Sequence, residues 1–500
     1  MDHAKDDNKK RIVIVGAGPG GLTAAMVLAG RGFDVEVFEK APVVGGRNAE
    51  LVLGDFRFDV GPTFLMMKFV LDKAFEEAGV KSEDYLDFRR LEPMYRLMFH
   101  DFSMDVTGDR EKMKAQIASC FPGEEAGLEK FFDRESARFS HIYSCLEREC
   151  SSLTHFLRPN FLRALPYIPF TSSIYKYLGN YFRTERLRLS FTFQSKYLGM
   201  SPWECPGLFV ILPYVEHAFG IFHVQGGLSQ ISTAMAKVAV EQGARIHLNA
   251  PVKQLLIENR SVKGVLLEDG SKVLADETIL NADFAHAMKS LVPPGTLRKY
   301  SPEKLKQKKF SCSTFMMYLG LDKIFPDLPH HSILFAKDYH QNTEDIFRNL
   351  KLSDDISFYI RNSSVTDPTV APEGKSAIYI LVPVPNNLSG IDWAKETPRF
   401  RDMVLDAIIA RTDLGDLRPH IEVERIITPA DWDGQGIHLG ATFNMAHSMT
   451  QMLYFRPHNK FEELDHCYLV GGGTHPGSGL PTIYQSGMIA AHLIEKKHHR

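Results

Sequence analysis

Cysteine is scarce in this chain and nowhere arranged to build a site. Cys120, Cys145, Cys150, Cys205, Cys312 and Cys467 are scattered, with no C-x-x-C pair among them. Neither a zinc site nor a disulfide framework is indicated, and a reducing, cytoplasmic setting is expected. Long apolar runs are missing too. Spanning a bilayer takes roughly 18–20 apolar residues, and the nearest stretch, 207–222, is interrupted by Pro213, Glu216 and His217. A protein that is soluble or rests on a membrane surface is expected. Charge of one sign is absent: 58 Lys and Arg against 61 Asp and Glu leave a net charge of −3, which gives nucleic acid nothing to bind. There are no internal repeats and no low-complexity segments. No Ser-His-Asp array, metal-ligand spacing or paired carboxylates argue for hydrolysis. Residues 1–10 are polar and lack the apolar core of a signal peptide, so they read as a short leader. At the other end, Lys496-Lys497-His498-His499-Arg500 reads as a solvated helix end whose cations suit the dipole, with contact to anionic lipid as the alternative.

The informative stretch is 11–39, RIVIVGAGPGGLTAAMVLAGRGFDVEVFE. Ile12 to Val15 form the short apolar run of a buried parallel strand. Gly16, Gly18 and Gly21 follow in G-x-G-x-x-G spacing. Residues 22–30 read as a helix with a small-residue face (Ala24, Ala25, Ala29), and Val35 to Phe38 as a second strand ending at Glu39. Gly16 permits the tight turn, Gly18 lets the backbone approach a pyrophosphate, and Gly21 allows close helix–strand packing. The phosphates would sit at the helix N-terminus, and Glu39 stands where an acid binds ribose hydroxyls. A lone G-x-G-x-x-G is weak evidence. Here strand, turn, helix and distal acid occur in the required order and point to a dinucleotide. Gly45-Gly46-Arg47 and Phe58-Asp59-Val60-Gly61-Pro62-Thr63 come next. These resemble the flavoprotein superfamily that includes amine oxidases and phytoene desaturases, where the first segment lies along the FAD pyrophosphate and the second near the flavin. FAD is therefore favoured over NAD.

Further along, 51–58 reads as a β-hairpin, Phe64 to Met67 as core or as the wall of an apolar channel, and 94–105 as strands around a turn. Residues 111–181 look helical and poor in glycine, an inserted helical domain. Within it Phe156, Phe161, Tyr167, Phe170, Tyr175, Tyr177, Tyr181 and Phe182 mingle with Arg158, Arg163, Lys176 and Arg183. That mixture suits either a membrane interface or a self-packed helical cap. Residues 229–241 read as a helix, and 245–248, 252–257, 262–268, 273–275 and 279–283 as short strands. Strand-like runs at 310–319, 357–360 and 377–384 suggest a mixed sheet. A helix over 398–412 is expected to start with Thr397 as N-cap and Pro398 in its first turn. A last buried strand at 467–472 enters a glycine turn before the final helix, 483–495.

The sequence resembles the bacterial phytoene desaturase family from end to end. The resemblance rests on the segments above and on Gly226-Gly227, Asp367 with Ala371-Pro372-Glu373-Gly374, Leu381-Val382-Pro383-Val384-Pro385, Phe455-Arg456-Pro457-His458-Asn459, and above all the tail YLVGGGTHPGSG at 468–479. It implies an α/β fold: a discontinuous Rossmann-like FAD-binding domain (1–100, 223–300, 465–500), a mixed-sheet substrate domain (301–464) and a helical, membrane-facing insertion (101–222). Expected cofactor-binding residues are Gly16, Gly18, Pro19, Gly20, Gly21, Glu39, Lys40, Gly46, Arg47, Gly61, Pro62, Thr63, Val252, Gly472 and Gly473. The implied activity is removal of hydrogens from an acyclic carotenoid or related isoprenoid, with hydride passing to flavin and oxygen or a membrane quinone as final acceptor. The implied location is peripheral, on the inner face of the cell membrane. Some family members carry an acid just before a Leu-Arg pair in the insertion; Asn160 stands there in this chain, so His475 becomes the candidate proton acceptor. Arg456 is expected either to anchor polar groups near the flavin or to form a domain salt bridge. Isomerisation, saturation, terminal-methyl oxidation, a non-catalytic prenyl-binding escort and an amine oxidase stand as alternatives.

Overall fold

The structure, a computed structural model, describes residues 9–499. Residues 1–8 of the expected leader, and Arg500, lie outside the described residues. A five-stranded, fully parallel sheet organises the nucleotide half: β1 (Arg11–Val15), β2 (Asp34–Phe38), β3 (Arg245–His247), β4 (Glu277–Leu280) and β5 (Cys467–Leu469), in the order β3-β2-β1-β4-β5. Three separate stretches of chain supply it. Both faces are covered, as an all-parallel sheet requires. Ile12, Ile14, Val35 and Val37 pack against helices, while Val13 and Val15 pack against a small antiparallel sheet over 252–274.

α1 (Pro19–Gly30) is buried from Pro19 to Ala29. It is wedged between α4 (Ser229–Glu241) and the final helix, α6 (Leu480–His498). Its many alanines and glycines bring three helix backbones close together.

The second half is built on a seven-stranded mixed sheet. In spatial order its strands are Ile421–Ile427, Ser313–Leu321, Ser376–Val384, Phe358–Asn362, His331–Leu334, Tyr95–Met98 and Ser103–Val106. Only the pairing of 331–334 with 95–98 is parallel. The hairpin at 95–106 thus extends this sheet, and the segment expected to be nucleotide-binding up to residue 100 ends in the other half. Alternation sorts the long central strand by face: Phe315, Met317 and Leu319 meet α5 (Trp393–Arg411), while Met316 and Tyr318 meet Phe56 and Phe58 from the separate hairpin Glu50–Leu53/Phe56–Asp59.

Two expectations need correction. α5 starts at Trp393, not beside Thr397, so Pro398 lies inside it. Burying Trp393 against Phe315 and Phe400 extends the helix upstream at the cost of one backbone hydrogen bond. The insertion contains a helix at Arg110–Cys120, one long helix, α2 (Glu125–Leu146), and beyond it only short helices, at Pro159–Ala164, Ile174–Leu178, Glu185–Ser190 and Ile211–Phe219. Its aromatics do not form one interfacial face: Phe161, Tyr181 and Phe182 are buried, the last two packing on Phe131 of α2. The exposed apolar side chains of this region are Leu153, Leu157, Leu162, Leu165 and Phe170.

Candidate functional site

The carboxyl ends of β1, β4 and β5 converge on one edge of the parallel sheet, where open α/β sheets bind ligands. Gly16 turns there with φ +97°, and a Cβ on it would stand 2.7 Å from the Asn281 carbonyl oxygen. A Cβ on Gly21 would stand 2.5 Å from the Gly16 carbonyl oxygen. Both positions therefore require glycine. Gly18 faces Gly46, whose Cβ would meet only the Gly18 Cα at 3.7 Å. The result is a cradle lined by backbone at the N-terminus of α1, whose first amides have no intrahelical acceptor. Asn281, directly after β4, donates its side-chain amide to the Gly16 and Gly18 carbonyls at 3.0 and 3.1 Å, fixing the turn. The reading from sequence missed it. The available signal was a lone amide at the end of an apolar strand.

Glu39 is buried, and its two oxygens accept from the amides of Ala17 (2.7 Å) and Ala41 (2.9 Å). Residues 247–250 run alongside, with Glu39 N donating to the His247 carbonyl and Ala250 N to the Glu39 carbonyl, both at 2.9 Å. Val252, half-buried, follows two residues later at the start of the strand Val252–Glu258. Lys40 is exposed, and its ammonium donates to the Gln435 carbonyl at 2.5 Å, which ties down a neighbouring loop.

Arg47 donates to the Thr442 carbonyl (2.9 Å) and to the Asn444 side chain (3.2 Å). Gly472 sits so close to Asn444 that a Cβ would fall 2.6 Å from its Nδ2, and a Cβ on Gly473 would fall 2.6 Å from the Phe284 Cβ. The chain at 60–63 is pinned from the mixed sheet by three tyrosine hydroxyls. Tyr318 donates to the Val60 carbonyl (2.6 Å), Tyr379 to the Gly61 carbonyl (3.0 Å) and Tyr359 to Thr63 Oγ1 (3.0 Å). Each was visible only as a tyrosine within an apolar strand. Replacing Tyr318 by phenylalanine is expected to cost about 0.5–1.5 kcal/mol and to raise the off-rate of bound flavin, read by chemical denaturation and by flavin release on dilution. Asp59, in the same segment, serves elsewhere: it accepts from the Leu228 and Ser229 amides at the start of α4 and from Arg361 at 2.6 Å.

Arg456 is fully buried and among the described residues pairs with no carboxylate, so the salt-bridge reading does not hold there. It donates instead to four main-chain carbonyls: Thr474 (3.1 Å), Gln451 (3.2 Å), Met445 (3.2 Å) and Gly472 (2.7 Å). Burial lowers its pKa to about 9, opposed in part by Tyr300. His475 is also fully buried. Its Nε2 bonds the Arg148 carbonyl at 2.8 Å, and burial holds its pKa down at about 4. The ring is therefore neutral at pH 7 and a weak base, and it joins the tail turn to the insertion. Asn160 donates to the Ser144 carbonyl at 3.2 Å, a contact within the insertion. Among the described residues no cluster could hold a metal ion.

Residues 19–494 match the family described as flavin containing amine oxidoreductase. The chain is 55% identical over 492 residues to a 4,4'-diapophytoene desaturase (4,4'-diapolycopene-forming) from Methylomonas sp., covering 98% of this chain and 96% of that one. It belongs to the bacterial phytoene desaturase family. An all-trans-zeta-carotene desaturase from Myxococcus xanthus is 35% identical, covering 98% of this chain and 94% of that one. Among solved structures, an oxidoreductase from Methanosarcina mazei shares the fold with a TM-score of 0.66 at 18% identity, covering 97% of this chain and all of that one. The chain is accordingly an FAD-dependent oxidoreductase of the carotenoid desaturase type, with a hydrophobic polyene as substrate. The backbone cradle at Gly16, Gly18 and Gly46 fits the pyrophosphate of that cofactor, and the buried Glu39 beside it fits the ribose.

Proposed function

We propose that this chain desaturates an acyclic precursor of the 4,4'-diapophytoene type, removing hydrogens in pairs. The observation that carries the reading is the identity of 55% to a desaturase of that substrate, against 35% to a zeta-carotene desaturase. FAD, when bound, supplies the two-electron oxidation by taking up hydride. The residues assigned to it are Gly16 to Gly21 for the pyrophosphate, with Glu39 and the Val252 backbone at the nucleoside. Gly46 and Arg47 extend the cradle, Gly61 to Thr63 lie near the ring, and Gly472 and Gly473 close the far side.

The substrate lives in lipid, and Leu153, Leu157, Leu162, Leu165 and Phe170 supply an apolar patch 45–69% exposed within 18 residues of chain. Arg163 stands exposed among them. Side chains of that kind partition into the acyl boundary while cations meet phosphates. No helix among the described residues is long and apolar enough to cross a membrane. We assign the patch to the inner face of the cell membrane, where oxygen or a membrane quinone re-oxidises the flavin. Changing Leu153, Leu157 and Phe170 together to serine is expected to weaken binding to anionic vesicles at least about tenfold without moving the unfolding midpoint. Retained vesicle binding in a co-sedimentation assay would refute the patch.

The function is tested by mass analysis of products from FAD-loaded protein with liposomes carrying 4,4'-diapophytoene or phytoene. Loss of hydrogens in pairs, faster on the shorter polyene, is expected. An unchanged mass with altered retention would mean isomerisation, a gain of hydrogens saturation, and added oxygen terminal oxidation. Protein that stays colourless in excess FAD would restore the escort reading.

A further inference from the structure

Glu216 was visible in the sequence only as an interruption of an apolar run. In the structure it lies on α3 (Ile211–Phe219), fully buried. One of its oxygens, Oε2, accepts from Tyr95 Oη (2.9 Å) and Gln194 Nε2 (2.7 Å). The other, Oε1, has no partner. Three further buried polar atoms nearby also lack partners: Tyr197 Oη, Gln194 Oε1 and His331 Nε2. Tyr95, Tyr197 and His331 are grouped about one ring, Phe64, the residue directly after Thr63. Its centroid lies 6.3 Å from Tyr95, 5.4 Å from Tyr197, 4.1 Å from His331 and 5.6 Å from Tyr359. Phe64, Tyr197 and Tyr359 each keep partial exposure. Tyr359 in turn holds Thr63.

Unsatisfied buried polar atoms cost about 1–3 kcal/mol each, and a buried carboxylate oxygen with only the neighbouring Tyr197 hydroxyl to turn to calls for an occupant or a task. An apolar polyene cannot hydrogen-bond that oxygen. It can, however, give up a proton. We propose that Glu216 is the proton acceptor of the desaturation, with Oε1 as the receiving atom. This rests on the desaturase reading above. One C–H bond of the substrate gives its hydride to oxidised flavin. The C–H bond on the adjacent carbon gives its proton to Glu216 Oε1, and the electron pair left behind becomes the new C=C bond. The carboxyl group later returns the proton to water.

The surroundings suit a base working near neutrality. Burial raises the Glu216 pKa to about 7, against the opposing hydrogen bonds of Gln194 and Tyr95 and the nearby Tyr197. The facing groups are Tyr95 from strand 95–98 and Gln194 and Tyr197 from the turn 193–198, and no cation is among them. His217, next in sequence, turns away to the Thr107 carbonyl and is kept neutral by burial.

The test is anaerobic flavin bleaching by polyene-loaded vesicles across pH, in wild type and in Glu216→Gln, Glu216→Asp and Tyr197→Phe. Glu216→Gln should retain FAD and vesicle binding while bleaching falls about 100-fold or more, and Glu216→Asp should recover part of it. The wild-type rate should rise with pH through about 7, because only the carboxylate accepts a proton. That inflection should vanish in Glu216→Gln and move upward in Tyr197→Phe, which leaves the Tyr95 and Gln194 bonds intact. Independently of turnover, infrared titration should show a protonated-carboxyl band in wild type that is missing in Glu216→Gln. Bleaching by Glu216→Gln at the wild-type rate, or a wild-type inflection unmoved in both Glu216→Gln and Tyr197→Phe, overturns the proposal. If wild type bleaches with no polyene, the desaturase reading and the proposal fall together.

Discussion

Replacing Gly21 by valine will leave the protein colourless. The ideal Cβ already stands 2.5 Å from the Gly16 carbonyl oxygen and 2.8 Å from Asn281 Nδ2, and valine adds two further carbons. α1 cannot retreat, since every residue from Pro19 to Ala29 is buried and α4 and α6 close it in. The turn must therefore give way, and with it the carbonyls that Asn281 holds and the amides that face the pyrophosphate. Interiors are packed too tightly to absorb such a change without strain of about 1–3 kcal/mol. Because the strain falls on the cradle, flavin bound per chain should drop more than about tenfold. Visible absorbance of the purified protein, reconstituted with excess FAD, measures this. A Gly21→Val protein with a full complement of flavin would show that the cradle is not the binding site.

The second large effect is expected at Arg456. Methionine fills much of the same volume but brings no donor, so four carbonyls buried around the guanidinium lose their partner at once. Removing a charged donor from buried acceptors costs on the order of 3 kcal/mol or more. Two of those carbonyls, Gly472 and Thr474, flank Gly473, so the damage reaches the cofactor turn as well as the core. Arg456→Met should unfold at clearly lower denaturant than wild type and hold FAD more weakly. Excess FAD should recover part of the lost stability by mass action. Lysine, a compact donor without the planar fork, should fall between the two. Equal stability of Arg456→Met and wild type in urea would refute this account.

The sequence by itself determined the nucleotide-binding unit, because its chemistry is local. The strand, the glycine turn, α1 and Glu39 lie within 29 consecutive residues, and Gly21 meets Gly16 five positions away, although Gly16 itself is forced by the distant Asn281. The expected strands at 245–248, 252–257 and 377–384 were legible for a related reason: alternation and apolar runs report which face of an element is dry. They do not report which surface it meets, and that the tertiary structure alone decided. Phe161, Tyr181 and Phe182 suited a membrane interface or a self-packed cap equally until packing on α2 buried them. Arg456 could have been a polar anchor near the flavin or half of a salt bridge, but its partners are carbonyls at 445, 451, 472 and 474 that no side-chain pattern announces. Asn281 reaches the glycine turn across about 265 residues of chain, Tyr379 reaches Gly61 across 318, and Glu216 meets Tyr95 across 121. A hydrogen bond depends on atoms within about 3 Å, and when hundreds of residues separate its ends only the packing of whole elements brings them together.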